Sequence, residues 1–424
     1  MLRLVMKNKH NFIVRMIFIG CLILSLSGCG NSRPQQNSPG EVPSGTSSLT
    51  KSSTSNSANA EDTSNREGNF SEIQMKNSKE GWARSLQAVF RTENGGGNWI
   101  DVTPLDIKAI KAQYPIQASF FLDENCAWIM PYQETQTQYV RRTIIFRTLD
   151  KGAHWEKFEL SQTNIGTQLF FADKNRGWMT ISQGVSLGHH PFDLYVTEDG
   201  GKTWDKIHSV SFENLSASSI PLDGFISGFY FVDAQTGWLA GTTSMGLPVF
   251  EQTTDGGVTW EDVEFPYQEG SILGSENHMG DTSVKVDPPT FFNRTHGLIQ
   301  IEYFYSVNNE HYSLFYHTGD GGKSWTKKDE KIVYIGSGNL KYSFADKNNG
   351  CLIADGKAFM KTADGGTTWI SVNALSALSL KGILDIQFVD ISNGWILDET
   401  GLFKTTDSGK SWEKIALNLS ERND

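Results

Sequence analysis

Arginine and cysteine are scarce in this chain. Beyond residue 68 only eight arginines occur, namely Arg84, Arg91, Arg141, Arg142, Arg147, Arg176, Arg294 and Arg422. Only two cysteines, Cys126 and Cys351, follow that point, too few for a disulfide framework. Long hydrophobic runs are also missing. The longest, Met16 to Leu26, is 11 residues and falls short of the length a membrane-spanning helix needs. Net basic charge is absent too, since the formal charge is −11. An acidic chain of this kind is a poor match for nucleic acid or for anionic lipid surfaces.

The N-terminus has its own logic. Arg3, Lys7, Lys9 and Arg15 form a basic start, and the short apolar run ends in Leu26-Ser27-Gly28-Cys29. Charged region, apolar region and small residues before a cysteine resemble the lipobox of bacterial lipoproteins. The resemblance implies a signal peptide over 1–28 and lipidation of Cys29, which leaves a mature chain of formal charge −15. Two or three acyl chains would anchor it firmly, where one binds only marginally. Residues 29–68 are rich in Ser, Asn, Thr, Gly and Pro and nearly free of apolar side chains. Such a segment cannot bury enough surface to offset its ordering entropy, and reads as a flexible tether with a root-mean-square span of roughly 35 Å.

What fills the rest of the chain is repetition. Thr-x-Asp-x-Gly-x-x-Trp or a near variant occurs seven times, at Thr92–Trp99, Thr148–Trp155, Thr197–Trp204, Thr253–Trp260, Thr318–Trp325, Thr362–Trp369 and Thr405–Trp412. The spacing runs from 43 to 65 residues, the period of propeller blades. A second motif, aromatic-x-Asp-x-x-x-Gly-Trp, alternates with it. Its copies are Phe121–Trp128, Phe171–Trp178, Phe231–Trp238, Phe344–Cys351 and Phe388–Trp395, with weaker ones at Met75–Trp82 and Phe291–Leu298. Each repeat then parses as four strands with Asp- and Gly-bearing turns between the first and second and between the third and fourth. The expected fold is all-β, a single seven-bladed β-propeller of four-stranded antiparallel blades spanning 69–420. Either the blades are complete from 70 to 418, or the stretch near Phe70 supplies an outer strand to the last blade.

The turn residues have mechanical roles. The Asp (Asp150, Asp199, Asp255, Asp320, Asp364 and Asp407, with Asn94 in the first copy) can accept hydrogen bonds from its own loop, and the Gly two positions on can take a positive φ. The Trp then packs beneath the hairpin. This pattern resembles the Asp-box or BNR repeat of sialidases, sortilin-type receptors and photosystem II assembly-factor propellers, and the alternating aromatic motif is most like the assembly-factor branch. In those relatives the boxes lie at the blade periphery, away from the ligand. Seven copies at one structural position, one of them Asn, fit a scaffold role and not a catalytic or metal-binding one. Cys126 and Cys351, in different repeats, are expected as free buried thiols.

Binding residues are expected on the face opposite the motif turns, where connections differ in length. Repeats one, six and seven have short inner connections. Repeats two to five have long ones at 131–142, 183–191, 241–248 and 305–311, and the links at 208–227 and 264–290 are long as well. Loops on a rigid scaffold are where recognition concentrates. The candidates are Tyr132, Tyr139, Arg141, Arg142, His189, His190, Tyr267, His278, Tyr303 and Tyr305, aromatic and basic side chains suited to a sugar or protein surface. Adjacent His189 and His190 with His278 lack metal-site spacing, so no metal and no cofactor are expected.

A sialidase-like hydrolase is the enzymatic alternative. Sialidases hold the substrate carboxylate with three arginines, the first in Arg-Ile-Pro, and attack through a Tyr polarised by a Glu. Arg-Ile-Pro does not occur here, and no arginine triad can be assembled. The reading is therefore a non-enzymatic, monomeric recognition or assembly platform. It is lipid-anchored on the extracytoplasmic side of the cell membrane and binds an extracytoplasmic protein or cell-wall glycan.

Overall fold

The computed structural model describes residues 70–422 except 110–114, 133–141, 161–164, 185–189, 212–219, 222–223, 245, 264–281, 307–309, 329–331, 336–339, 355–357, 374, 376–377 and 379. Cys29, Tyr139, Arg141, His189, Tyr267 and His278 lie outside the described residues.

Seven antiparallel sheets follow one another along the chain. Blade one holds β1 (Glu72–Met75), β2 (Gly81–Arg84), β3 (Val89–Thr92) and β4 (Asn98–Asp101), followed by a short helix α1 (Leu105–Ala109). Blade two holds β5 (Ile116–Phe121), β6 (Ala127–Pro131), β7 (Ile144–Thr148) and β8 (Glu156–Glu159). Blade three holds β9 (Ile165–Phe171), β10 (Gly177–Ser182), β11 (Phe192–Thr197) and β12 (Asp205–Val210). Blade four holds β13 (Gly224–Phe231), β14 (Gly237–Thr243), β15 (Pro248–Thr253) and β16 (Glu261–Asp262). Blade five holds β17 (Thr282–Val286), β18 (Thr290–Phe291), β19 (Gly297–Tyr305), β20 (Glu310–Thr318), β21 (Thr326–Lys327) and β22 (Ile332–Ile335). Blades six and seven hold β23 (Lys341–Phe344), β24 (Gly350–Ala354), β25 (Ala358–Thr362) and β26 (Ile370–Val372), then β27 (Asp385–Phe388), β28 (Gly394–Asp398), β29 (Gly401–Thr405) and β30 (Glu413–Ile415). A last strand, β31 (Asn418–Glu421), runs parallel to β4 as a fifth strand on blade one.

The architecture is the expected seven-bladed propeller, with departures at blades one and five. Second strands are buried on both faces, as in β6 and β28, and so are some third strands such as β7, whereas the outermost β8 is mostly exposed. Each blade is sandwiched by its neighbours near the axis, so these strands carry continuous apolar runs instead of alternation. The seven buried clusters each join two consecutive blades, and one of them joins blade seven to blade one. That last cluster closes the ring through Trp395, Leu397, Ile73 and Met75. Gln387 seals it with two bonds, its amide donating to Met75 O at 3.0 Å and its Oε1 accepting from Met75 N at 2.6 Å.

Both motifs have a visible cause. In each Thr-x-Asp turn the Thr hydroxyl donates to the Asp and accepts the N–H four residues on, as Thr318 does with Asp320 (2.8 Å) and Gly322 N (2.8 Å). The Asp then accepts the N–H of the residue before the Trp, as Asp364 does from Thr368 at 2.9 Å. These bonds hold the carboxyls of Asp364, Asp320 and Asp407 down to about 2. The backbone donor of Thr368 leads at Asp364, and the hydroxyls of Ser324 and Ser411 lead at the other two. The second motif caps itself likewise, Asp123 accepting from Asn125 N at 2.8 Å and Cys126 N at 2.7 Å.

The Gly-Trp pair reaches across to the next blade. Trp128 stacks on Phe171 at 3.8 Å and Trp178 on Phe231 at 3.6 Å between ring centroids. Their indoles donate to Gly200 O and Gly256 O, each at 2.9 Å, in the next blade's Asp-box. Gly177 pairs directly across from Phe171, and a Cβ there would strike the ring. Where the chain has Ala127 opposite Phe121, the Trp82–Phe121 stack opens to 5.4 Å. A basic residue before the motif Thr adds a second stitch. Arg147 donates to Asp199 O at 2.9 Å and Lys361 to Ser408 O at 2.5 Å. Cys126 and Cys351 are free and buried, and burial raises both thiols, that of Cys126 to about 11.

Candidate functional site

The turns of both motifs lie at one end of every blade. The second-to-third strand connections and the links between blades lie at the other. This loop face is uneven. In blade seven only Glu399 and Thr400 join β28 to β29, while in blade five β19 and β20 are nine-residue strands that extend past the neighbouring ones. The connection expected at 305–311 is thus mostly sheet, and only 306–309 separate the two strands. Ile301 to Tyr305 alternate in register with Glu310 to Leu314, so the hairpin simply continues. Likewise the link expected at 264–290 contains β17 and the start of β18. Asp287-Pro288-Pro289 separates these two, and prolines cannot supply ladder donors.

The described candidates separate by role. Tyr132 is half-buried at the end of β6, and its N–H donates to Pro115 O at 2.8 Å. Arg142 is exposed and ion-paired to Glu159 of its own blade. His190 is half-buried before β11, with its ring 3.8 Å from that of Phe225 in blade four. Tyr303 is a correction: it is 3% exposed and sits in the cluster joining blades four and five, because it lies within β19 and not on a loop. Tyr305 ends the same strand opposite Glu310. Phe225, half exposed at the start of β13, joins His190 on this face and was missed, since a lone aromatic in a glycine-flanked segment carries no sequence signal.

The clasp of blade five is a second unforeseen group. Glu302 accepts from His311 Nδ1 at 2.8 Å and from the Tyr334 hydroxyl, and the His311 ring stacks on Tyr334 at 4.6 Å. The three come from β19, β20 and β22, so the group staples the added strand to the long hairpin. No group of three or more metal-ligating side chains occurs among the described residues.

The axial channel is the more chemical part of the loop face. First strands are edge strands, with backbone groups that need partners. Side chains supply them across blades: Arg84 donates to Ile116 O at 3.0 Å, Gln168 to Ile226 O at 3.1 Å and Ser227 to Val286 O at 2.5 Å. A cavity of about 260 Å³ opens among the inner strands of blades one to four, lined in part by Glu72, Arg84, Ser119, Gln168, Ser227 and Phe229. Glu72 accepts from Arg84 Nε and from the Ser119 hydroxyl, both at 3.0 Å. In blade seven, half-buried Asp385 begins its first strand. Desolvation, opposed by Lys341 and aided by Glu72, raises its carboxyl to about 7.

Residues 333–422 match the family model described as Photosynthesis system II assembly factor YCF48. These are the end of blade five, blades six and seven and the closing strand. No curated protein matches the chain. Among solved structures, YCF48 from Cyanidioschyzon merolae is 16% identical, with 81% of this chain and 96% of that one covered at a TM-score of 0.52. A structure described as YCF48 bound to D1 peptide is 17% identical, covering 80% and 93% at 0.49. The GH74 xyloglucanase from Xanthomonas campestris is 11% identical, covering 81% of this chain but 54% of that one, at 0.55. The chain resembles this class of Asp-box propellers in fold, and the YCF48-like sequence pattern is concentrated in its last two blades.

Proposed function

We propose that the chain is a non-enzymatic binding or assembly scaffold, held by lipidated Cys29 at the extracytoplasmic face of the cell membrane. It presents its loop face to an extracytoplasmic protein. The observation that carries this reading is the match of residues 333–422 to an assembly-factor family. The uneven loop face supports it, with Phe225 and His190 meeting across two blades and the blade-five hairpin extending past the neighbouring strands. Aromatic side chains half exposed on a rigid frame are the usual anchors of protein interfaces. The test is affinity capture from solubilised membranes of the source cell with the full chain as bait, compared with a Tyr132→Ala/His190→Ala/Phe225→Ala variant. One partner lost in the triple variant is the expected result. Identical captures would refute a loop-face interface.

One observation favours a second reading, glycoside hydrolysis. Desolvation, with the nearby charge of Glu72 adding to it, lets Asp385 keep its proton to about 7. A carboxyl that holds its proton near neutral pH is one ingredient of acid–base glycosidase chemistry. Turnover of fluorogenic glycosides that vanishes in Asp385→Asn would establish it, and blank assays across a substrate panel would remove it.

A further inference from the structure

We infer that the axial cavity of blades one to four is a binding pocket for a neutral, hydroxyl-rich ligand of one-sugar size, such as the end of a glycan. The cavity, about 260 Å³, is smaller than the roughly 300–1,000 Å³ of sites for drug-sized molecules. It cannot take a helix or a folded loop. Its polar groups are largely committed within the protein. Ser119 donates to Glu72, and the single proton of the Ser227 hydroxyl is held between Val286 O at 2.5 Å and Ala240 O at 3.0 Å.

What remains free is specific. Arg84 uses Nε on Glu72 and Nη1 on Ile116 O, which leaves Nη2 as a donor. Glu72 receives both its bonds on Oε2, which leaves Oε1 as an acceptor, and its side chain is one-third exposed. The Gln168 amide donates to Ile226 O, and its Oε1 is buried without a partner and closed off from the cavity, so the residue helps shape the wall but offers the ligand no acceptor. A donor and an acceptor side by side on a charge-compensated ion pair complement a vicinal diol, each hydroxyl of which both gives and takes a hydrogen bond. An ionic ligand would meet a like charge on one of the two partners. Leu169 and Phe229 supply apolar wall for the C–H face of a sugar ring.

The pocket does not depend on the protein-docking surface proposed above. The test is saturation-transfer NMR on the full chain with N-acetyl-D-glucosamine, D-galactose and myo-inositol as probes, each at tens of millimolar. At least one probe should bind, and Glu72→Gln, which replaces an acceptor with a donor at constant shape, should weaken it at least tenfold. Ser119→Leu, which fills the cavity from blade two, should abolish the signal while thermal unfolding shows the ring intact. Absence of saturation for every probe leaves a water-filled channel and overturns the proposal. So does equal binding in both variants, or displacement of the sugar by acetate or a peptide C-terminus, which would mark a carboxylate site. Partner capture that survives Ser119→Leu would separate this pocket from the docking face, and failure of capture alone would leave the sugar result standing.

Discussion

At the face bearing the Asp-box turns, one hydrogen-bond pattern is written seven times, and each copy meets its donors and acceptors within five residues. At the opposite face the connections range from the two residues Glu399 and Thr400 to segments of a dozen, and several first-strand carbonyls find side-chain partners across blades. The first face is rigid by local chemistry. The second takes its shape from ring closure, and that is where an extended hairpin, an aromatic pair and a polar cavity can vary without cost to the frame. A scaffold that separates stability from recognition in this way should respond very differently to substitutions on its two sides.

The largest effect should come from the repeated frame. Trp178→Ala removes a fully buried ring, its stack on Phe231 and its bond to Gly256 O, and should cost about 3–5 kcal/mol in chemical denaturation. Cys351→Ala, at the same position of blade six, should cost far less. Equal losses at the two sites would break the view that Trp stacking holds blades two to four together. Next comes Thr318→Val. It strands the buried Gly322 N–H and one Asp320 bond and should cost about 1–3 kcal/mol by the same measurement.

A smaller, pH-dependent effect belongs to the channel. Asp385 holds its proton to about 7 in the folded chain against an ordinary value of 3.8. As pH rises from about 4 to 7 the unfolded chain releases this proton first, so folding stability falls across that window and stays reduced above it. Asp385→Asn should therefore stabilise at pH 8 by on the order of 1 kcal/mol, discounted because the group is half-buried, and change little below pH 4. Melting curves across pH that superimpose for the two proteins would count against a desolvated carboxyl. The Asp-box carboxyls act in the opposite sense, contributing stability that is lost as pH falls from about 4 towards 2.

Two mild substitutions sharpen the contrast further. Ser408 stands at φ 66°, where five other boxes have glycine, so Ser408→Gly should raise stability by about 0.5–1 kcal/mol. On the loop face, Phe225→Ala should shift stability by no more than about 0.5 kcal/mol, since its ring is half exposed. A loss like that of Trp178 would assign Phe225 to the core.

Legibility from sequence followed the range of the interactions. The Thr-x-Asp turns were readable because their bonds link residues two to four apart. The stacking of Trp178 on Phe231 joins residues more than fifty apart, and nothing in either motif names the partner. In sequence the blade-five hairpin reads as a loop, because Tyr303, Tyr305 and His311 look like surface residues until β19 and β20 are paired in register. β31 was hidden because blade one is complete without it. On the candidate face, connection length names Tyr132 and His190 as candidates, whereas Phe225, Glu72 and Arg84 lie at strand ends with no motif to mark them.

By itself the amino-acid order determined the number of blades, their strand order and the residues that lock each turn, since all of these follow from contacts within one repeat. Only the closed ring decided which side chains face the axis, that Asp385 loses its water and that the Glu72–Arg84 pair of blade one shares a cavity with Leu169 and Phe229 of other blades. Those properties come from surroundings supplied by neighbouring blades, and no single repeat contains them.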